Sequence, residues 1–405
     1  MEQIDRHRRH HRRTHQRLGG IKVSMSELND LITKLCPNGV PYKKLEEVAE
    51  IKRGRRVVKK ELSQDNNSGY PVYQNSLKPL GYHTCSNEKA GTPFVIAAGS
   101  AGEIGYSDVD YWGADDCYSI ECDDNTVNGR YIYHVLLLKQ GRIKSQVRRA
   151  SIPRLSSTAI KHLEIPVPPI EIQHEVVRIL DAFTELEAEL EAELAGKKKQ
   201  YEYYRNQMLS QKRLEAMDGK PVEMRKFGEA AHIGKGTYIT KKETVPGKIP
   251  VILGGMTPAY WHNEANHEGE AIVISRSGAN AGFVSYWNEP IFVSDGFIVE
   301  TDDALICRYL YYALKSVQNT INTLKRGGGV PHVNGKMLAD IKIPVPSLAT
   351  QERIVDILDR FDTLTTSLTK GIPAEIAMRR EQYEYCRSRI LDFPRLPDNS
   401  DSDGE

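Results

Sequence analysis

A tetrapeptide that cannot be helical occurs twice in this chain: Ile165-Pro166-Val167-Pro168 returns as Ile343-Pro344-Val345-Pro346, an offset of 178 from position 165 to position 343. Such a duplication constrains the fold more than any local propensity, because both copies must build the same unit. Gln173 matches Gln351, Val177 matches Val355, Ile179-Leu180-Asp181 matches Ile357-Leu358-Asp359, and Phe183 matches Phe361 at the same offset. Upstream, Arg130-Tyr131-Ile132-Tyr133 matches Arg308-Tyr309-Leu310-Tyr311, and Ile152-Pro153 matches Val330-Pro331. Near the start of each copy Gly39-Val40-Pro41 answers Gly219-Lys220-Pro221. Further on, Gln200-Tyr201-Glu202-Tyr203-Tyr204-Arg205 matches Gln382-Tyr383-Glu384-Tyr385-Cys386-Arg387 at an offset of 182, so the second copy holds four extra residues.

Each copy reads as short strands followed by helix. Pro93-Phe94-Val95-Ile96-Ala97 and Glu270-Ala271-Ile272-Val273-Ile274-Ser275 have strand character and are bounded by Gly, Asn and Ser clusters. Arg130 to Lys139 and Arg308 to Lys315 read as short helices. The Ile-Pro-Val-Pro segments are predicted to be extended, since proline lacks a donor and disfavours helix in the residue before it.

After each strap comes a long amphipathic helix. Val176, Ile179, Phe183, Leu186 and Leu190, then Lys197, Tyr201, Tyr204 and Met208, follow the alternating steps of three and four of a coiled-coil seam. Ile354, Ile357, Phe361, Leu364 and Leu368 repeat it, and Gly371-Ile372-Pro373 then interrupts, which accounts for the added residues as a stutter. The order domain, helix, domain, helix favours antiparallel pairing of the two stripes. The other reading is that each helix packs on its own domain; against it, roughly 32 helical residues span about 50 Å, more than a small domain's width.

The expected architecture is α+β: two pseudo-symmetric globular domains separated by two long antiparallel coiled-coil helices. The boundaries are a basic arm at 1–24, a first domain at 25–168, a helix at 169–214, a second domain at 215–346, a helix at 347–393, and an acidic disordered tail at 394–405. The arm, with Arg6-His7-Arg8-Arg9-His10-His11-Arg12-Arg13, has no apolar periodicity and no signal-peptide core, and reads as disordered. It is either a phosphate-tracking arm or an upstream extension before Met25.

Composition narrows the class. Hydrophobic residues make up 40% and charged residues 27%, with no apolar run near the roughly 18 residues of a membrane span. The six cysteines are scattered, without CxxC pairs or zinc-ligand spacing, which fits a cytoplasmic setting and buried apolar roles. Net charge is only +1, but acid is concentrated at Glu185 to Glu193 and in the tail, so the globular parts are more basic than the average.

No catalytic machinery is legible. Gly329 to Gly335-Lys336 is a residue too long for a phosphate loop and is followed by Met337; Gly234-Lys235-Gly236 lacks the third glycine of a dinucleotide fingerprint. There is no Asn-Pro-Pro-Tyr, His-Glu-x-x-His or Gly-x-Ser-x-Gly, and the histidines outside the arm do not fall at ligand spacing. No catalytic residue, metal site or cofactor is expected on this chain.

What remains is basic loops at matched positions. The first domain carries Lys52, Arg53, Arg55, Arg56, Lys59 and Lys60 around Gly54, and the second carries Lys235, Thr237, Tyr238, Lys241 and Lys242 around Gly236. Around the β-branched/Pro pairs lie Arg148, Arg149 and Arg154, and Lys325, Arg326 and His332. Arg276 is a further candidate, and Gln74-Asn75 has the chemistry to read adenine. Glycines let backbone approach phosphates and the cations supply counter-charge, so double-stranded DNA is the expected partner. The competing reading is a coiled-coil scaffold whose domains bind proteins or glycans.

The twice-given order of variable domain, Ile-Pro-Val-Pro, Gln-x-x-Ile/Val-Val-x-Ile-Leu-Asp-x-Phe and Gln-Tyr-Glu-Tyr resembles the specificity subunit of type I restriction-modification systems, from Met25 to about Pro394. The resemblance implies that the domains are target-recognition domains, each reading half of a bipartite DNA site. It implies that the helices set the spacer and dock two methyltransferase subunits, with two restriction subunits completing an ATP-dependent endonuclease of the prokaryotic cytoplasm. S-adenosylmethionine, ATP and Mg would then sit on the partners. Glu185-Leu186-Glu187-Ala188 and Glu189-Leu190-Glu191-Ala192 are similar to a tetrapeptide repeat whose number alters the spacer in some members. One such unit adds about 6 Å of helix and about 40° of rotation.

Overall fold

The computed structural model describes residues 25–66, 69–123, 125–149, 151–253, 257–327, 329–367 and 371–397. The basic arm at 1–24 and Leu368 lie outside the described residues. Contacts divide the chain into two units: Met1–Leu190 with Ile376–Glu405, and Glu191–Glu375. Each unit therefore holds one globular head together with part of each long helical region.

The two heads share one strand plan. In the first, an antiparallel sheet orders Ala49–Arg53, Cys117–Cys122, Phe94–Ile96 and Ile104–Gly105, beside a smaller sheet of Gly81–His83, Tyr70–Tyr73 and Trp112–Gly113. In the second, Ala231–Lys235, Gly296–Thr301, Glu270–Ser275 and Val284–Asn288 form the larger sheet, and Tyr260–His262, Ile249–Ile252 and Phe292–Val293 the smaller. The smaller sheets each contain one parallel pair, Val72 opposite Trp112 and Val251 opposite Phe292. An amphipathic helix packs into each core: Gly129–Leu138 buries Tyr131, Ile132, Val135 and Leu136, and Cys307–Ser316 buries Tyr309, Leu310, Tyr312 and Leu314.

The proline straps are extended, and each is the second strand of a two-stranded ribbon: Glu164–Pro166 pairs with Tyr42–Lys44, and Lys342–Val345 with Glu223–Lys226. Proline supplies acceptors that the repeat uses identically. The Tyr131 hydroxyl donates to the Pro166 carbonyl and that of Tyr309 to Pro344, both at 3.0 Å. The buried Gln173 donates to the carbonyls of Pro168 and Thr126 and accepts from the Asn128 N–H; Gln351 does the same with Pro346, Ala304 and Ile306. An unsatisfied buried donor costs about 1–3 kcal/mol, so this glutamine fixes where the helix leaves the head.

The first long helix runs Ile170–Met208, and a separate helix, Gln211–Asp218, ends at Gly219 in the left-handed conformation. The second region is broken into Leu348–Thr366 and Ile372–Ile390, with Pro373 in a first turn where its missing N–H costs nothing. Within the first unit, the Phe183 ring packs at a tilt against Tyr383 and Glu187 pairs with Arg380. Within the second, Tyr201 stacks on Phe361, while Asp218 accepts from Ser347 and Thr350. Numbers rise on one helix as they fall on the other, so both pairings are antiparallel.

Three expectations are corrected. Ile357 does not belong to the seam: it is 39% exposed, while Ile354, Leu358 and Thr365 are buried, with Phe361 and Leu364 half-buried. Of the adjacent pair Ile357-Leu358, the leucine continues the inward stripe. The helices also do not choose between each other and the heads. Ile172, Val176, Ile179, Leu180 and Phe183 share one core with Tyr131 and Val135 of the head and with Ile390, Leu391 and Phe393. Finally, residues 394–397 are not disordered. Val40 donates to the Pro394 carbonyl at 2.8 Å, Leu396 donates to Val40, and Arg395 lies over the Tyr42 ring and pairs with Glu164. Gly39, at φ +105°, permits this because a Cβ there would meet Pro394 O at 2.8 Å. Two prolines and the absence of periodicity hide that contact in the sequence.

Candidate nucleic-acid interface

Strand register gathers the basic segments at one end of each larger sheet. In the first head Arg53 lies opposite Tyr118, and Ile96 opposite Cys117, so both strands finish beside the start of Cys117–Cys122. The residues just beyond Arg53 stay at that end. Gly54 donates to Cys117 O at 3.0 Å and Arg55 to Gly113 O at 2.9 Å. Arg148 and Arg154 close a loop by exchanging backbone hydrogen bonds at 2.8 and 3.1 Å, and Arg154 bridges to Ala98. Gly99 donates to Pro153 O, and Ser100 to Asn75 O at 2.9 Å, which brings in the glutamine-asparagine pair.

The second head repeats most of this arrangement. Lys235 lies opposite Phe297 and Ser275 opposite Gly296; Gly236 donates to Gly296 O and Thr237 to Val293 O, both at 3.0 Å. Arg326 and His332 exchange bonds at 2.9 and 2.7 Å, His332 bridges to Ser277, and Gly278 donates to Pro331 O at 3.0 Å. Arg276 sits between these segments, donating through its backbone to Asp295 O.

Cations differ in what they have left to offer. Arg55, Arg56, Arg148, Arg149, Arg154, Lys235 and Arg326 are exposed, and among the described residues they make no ion pair. Lys325 is half-buried beside them. Lys52 is already partnered: its ammonium pairs with Glu121 on the neighbouring strand and with Glu50, and its pKa rises accordingly, with Glu121 the larger influence. Arg276 pairs with Asp295 at 3.0 Å, and Arg53 donates through Nε to Asp115 O at 2.9 Å. Lys59 and Lys60 start a short turn that leads to the smaller sheet, where Ser63 bonds Tyr82. Lys241 and Lys242 lie likewise near Val245, whose N–H meets His262. These four exposed lysines lie on the stretches of chain that lead from the cluster to the smaller sheets. Thr237 and Tyr238 are exposed next to Lys235.

The role expected of the glycines also changes. A Cβ on Gly54 would sit 2.2 Å from Ala114 O, and one on Gly236 2.3 Å from Val293 O. Both glycines, and their N–H groups, serve close approach of neighbouring backbone; the anion-facing capacity of these loops lies in side chains.

The sequence pattern of the type I restriction modification DNA specificity domain matches residues 37–195 and again 219–378. The chain belongs to the type I DNA specificity family. It is similar to the Escherichia coli EcoR124I/EcoR124II specificity subunit, 34% identical over 305 residues, covering 68% of this chain and 73% of that one. A putative type I restriction enzyme specificity subunit of Haemophilus influenzae is 32% identical over 386 residues, covering 87% of this chain and 96% of its own. In fold, the chain is similar to the crystal structure of a type I restriction-modification S subunit from M. genitalium, at TM-score 0.58 and 21% identity over 89% of this chain and 97% of that one.

Membership of a specificity family carries a recognition role, not a catalytic one. The described residues hold no group of three or more His, Cys, Asp or Glu side chains placed to bind a metal. No helix among them is long and apolar enough to cross a membrane. The cysteine at the cluster, Cys117, is buried, and burial pushes its thiol up to about 12, which makes it a packing residue donating to Tyr73 O and Gln74 O.

Proposed function

We propose that each head reads one half of a bipartite site in double-stranded DNA, using the basic sheet end, and that the helical regions set the spacer between the halves. The observation that supports this most strongly is the recurrence of one arrangement in both heads. The same three segments are joined by equivalent backbone bonds, while their side chains differ: Arg148, Arg149, Arg154 and Asn75 in one head, Lys235, Thr237, Arg326 and His332 in the other. A shared frame with unlike side chains is what two different half-sites require, since phosphates position and base edges specify.

On this reading the exposed faces of the helices dock two methyltransferase subunits, through which two restriction subunits join, in the cytoplasm. S-adenosylmethionine, ATP and Mg belong to those partners. The chain alone is then a DNA-binding adaptor. Titrating a long duplex with the full chain between about 50 and 200 mM salt tests this: log K falls linearly with log salt, by on the order of 0.9 per phosphate neutralised. Weak, salt-insensitive binding overturns the proposal, as does methylation of DNA by the purified chain without a partner.

A further inference from the structure

We propose that Ile152 and Val330 are base-contacting residues: each is an apolar probe, held in front of a basic loop, that packs against base edges inside a DNA groove. The proposal rests on the reading of the basic sheet ends as the DNA-facing surface and names what enters the duplex there.

Single exposed apolar side chains are ordinary on protein surfaces and need no explanation. These two differ because they recur. They occupy equivalent positions at the repeat's offset of 178, and both are more than half exposed, Ile152 at 52% and Val330 at 57%. No core uses them. The loops around them have little else in common beyond positive charge, Arg148, Arg149 and Arg154 in one case, Lys325, Arg326 and His332 in the other. What is retained is a β-branched residue followed by proline.

That pair is suited to holding an apolar group out into solvent. The proline confines the residue before it to extended backbone, and branching at Cβ leaves few side-chain rotamers. The proline carbonyl is itself pinned, Pro153 O accepting from Gly99 and Pro331 O from Gly278 at 3.2 and 3.0 Å. Both glycines take left-handed φ, +82° and +81°, so the pin is built the same way twice. The flanking residues are closed by the Arg148–Arg154 and Arg326–His332 bridges. Little conformational entropy is left to lose on contact.

An apolar probe ringed by cations fits a partner that is anionic outside and apolar within. Duplex DNA has that build: phosphates at the groove rim, thymine methyls and base faces at its floor. A two-stranded ribbon is narrow enough for the major groove, and aliphatic side chains are used elsewhere as groove contacts. The charged neighbours then fix the position of the loop, and Ile152 or Val330 adds discrimination.

The test uses Ile152→Thr and Val330→Thr in the full chain, together with its methyltransferase partner. Threonine keeps the branching at Cβ; it is isosteric with Val330 and shortens Ile152 by one methyl group, so the loop is retained while the apolar contact is lost. The wild-type complex first defines its site by methylation sequencing. Affinity is then measured for a duplex bearing that site and a scrambled duplex of equal length. The expected result is that the ratio of the two affinities falls about five-fold or more, the scale of one lost base contact, with affinity for the scrambled duplex and its salt slope unchanged. Relaxed methylation should be confined to one half-site for Ile152→Thr and to the other for Val330→Thr. An unchanged ratio, or an equal loss on both duplexes, overturns the proposal. If the wild-type chain itself shows no salt-dependent binding, it is the underlying reading of these loops that fails.

Discussion

Arg130 donates through Nε to Asp181 at 2.9 Å, and Arg308 does the same to Asp359 at 2.7 Å. The pair joins the core helix of each head, Gly129–Leu138 or Cys307–Ser316, to the long helix that leaves it. Aromatic rings cover each guanidinium, Tyr106 and Tyr133 over Arg130, and Tyr286 and Tyr311 over Arg308. Side-chain exposures of 20% and 30% make the first pair partly buried. Replacing Asp181 with Ala leaves the arginine largely covered without its carboxylate, and should destabilise the first unit by about 1–3 kcal/mol, less than for a fully buried pair. Asp359→Ala should act on the second unit. Amide exchange, which resolves Tyr131 to Leu136 from Tyr309 to Leu314, checks that each loss stays in its own unit.

The two copies differ at the next contact with this aspartate. His134 meets Asp181 at 2.9 Å in the first, where Tyr312 donates to Asp359 in the second. Burial lowers the His134 pKa below its ordinary 6.5 and outweighs the carboxylate. Burial raises the Asp181 pKa, but the His134 hydrogen bond and the Arg130 charge prevail and hold it low. Because the folded imidazole is the weaker base, the stability it contributes is present above about pH 6.5 and is lost as pH falls through its folded value. The loss is at most about 1.4 kcal/mol per pH unit. Between pH 7 and pH 5 the first unit should therefore weaken more than the second. His134→Gln, which keeps a donor and does not titrate, should flatten that slope; an unaltered slope in thermal unfolding would exclude the histidine as its source.

The architecture was legible because the chain states it twice. Motifs matched at an offset of 178, and then of 182, gave two heads, two helical regions, the extended straps and the break at Gly371-Ile372-Pro373 without any packing information. Positions whose role depends on a distant partner were not legible. Lys52 looks like its basic neighbours until strand register sets it beside Glu121. Gly54 looks like a phosphate-binding glycine until Ala114 O fills the space a Cβ would need. Ile357 and Leu358 are equivalent in composition, and only packing selects Leu358. Gln173 and Gln351 were visible as a match, but their bonds to the straps were not. The signal for Ile152 and Val330 was present in the repeat itself, as an apolar pair retained between basic residues.

Exposed aromatics recur on the helices as well. Tyr203 and Tyr385 match at an offset of 182 and are 61% and 66% exposed, while the adjacent Tyr201 is buried and Tyr383 half-buried. Aromatic side chains at such positions are common anchors of protein interfaces, where truncation costs about 2 kcal/mol or more, roughly thirty-fold in affinity. Tyr203→Ala and Tyr385→Ala should each weaken one methyltransferase contact, and the double variant both, without altering DNA binding by the chain alone. Native mass spectrometry of the reconstituted complex reads this directly; a double variant that assembles like wild type would remove these residues from the docking surface.

The spacer role of the first helix can be isolated from base reading by deleting Glu189 to Ala192. Leu186 and Leu190 are buried at a spacing of four, and Leu194 comes next at the same spacing, so the deletion moves Leu194 into the place of Leu190 and keeps the inward stripe. The helix shortens by about 6 Å and its C-terminal half turns by about 40°, comparable with one to two base pairs of duplex. Methylation sequencing of cells carrying the deletion and the partner methyltransferase is the most direct test of the account. Two unchanged half-sites separated by a shorter spacer are predicted; altered half-sites, or an unaltered spacer, would contradict it.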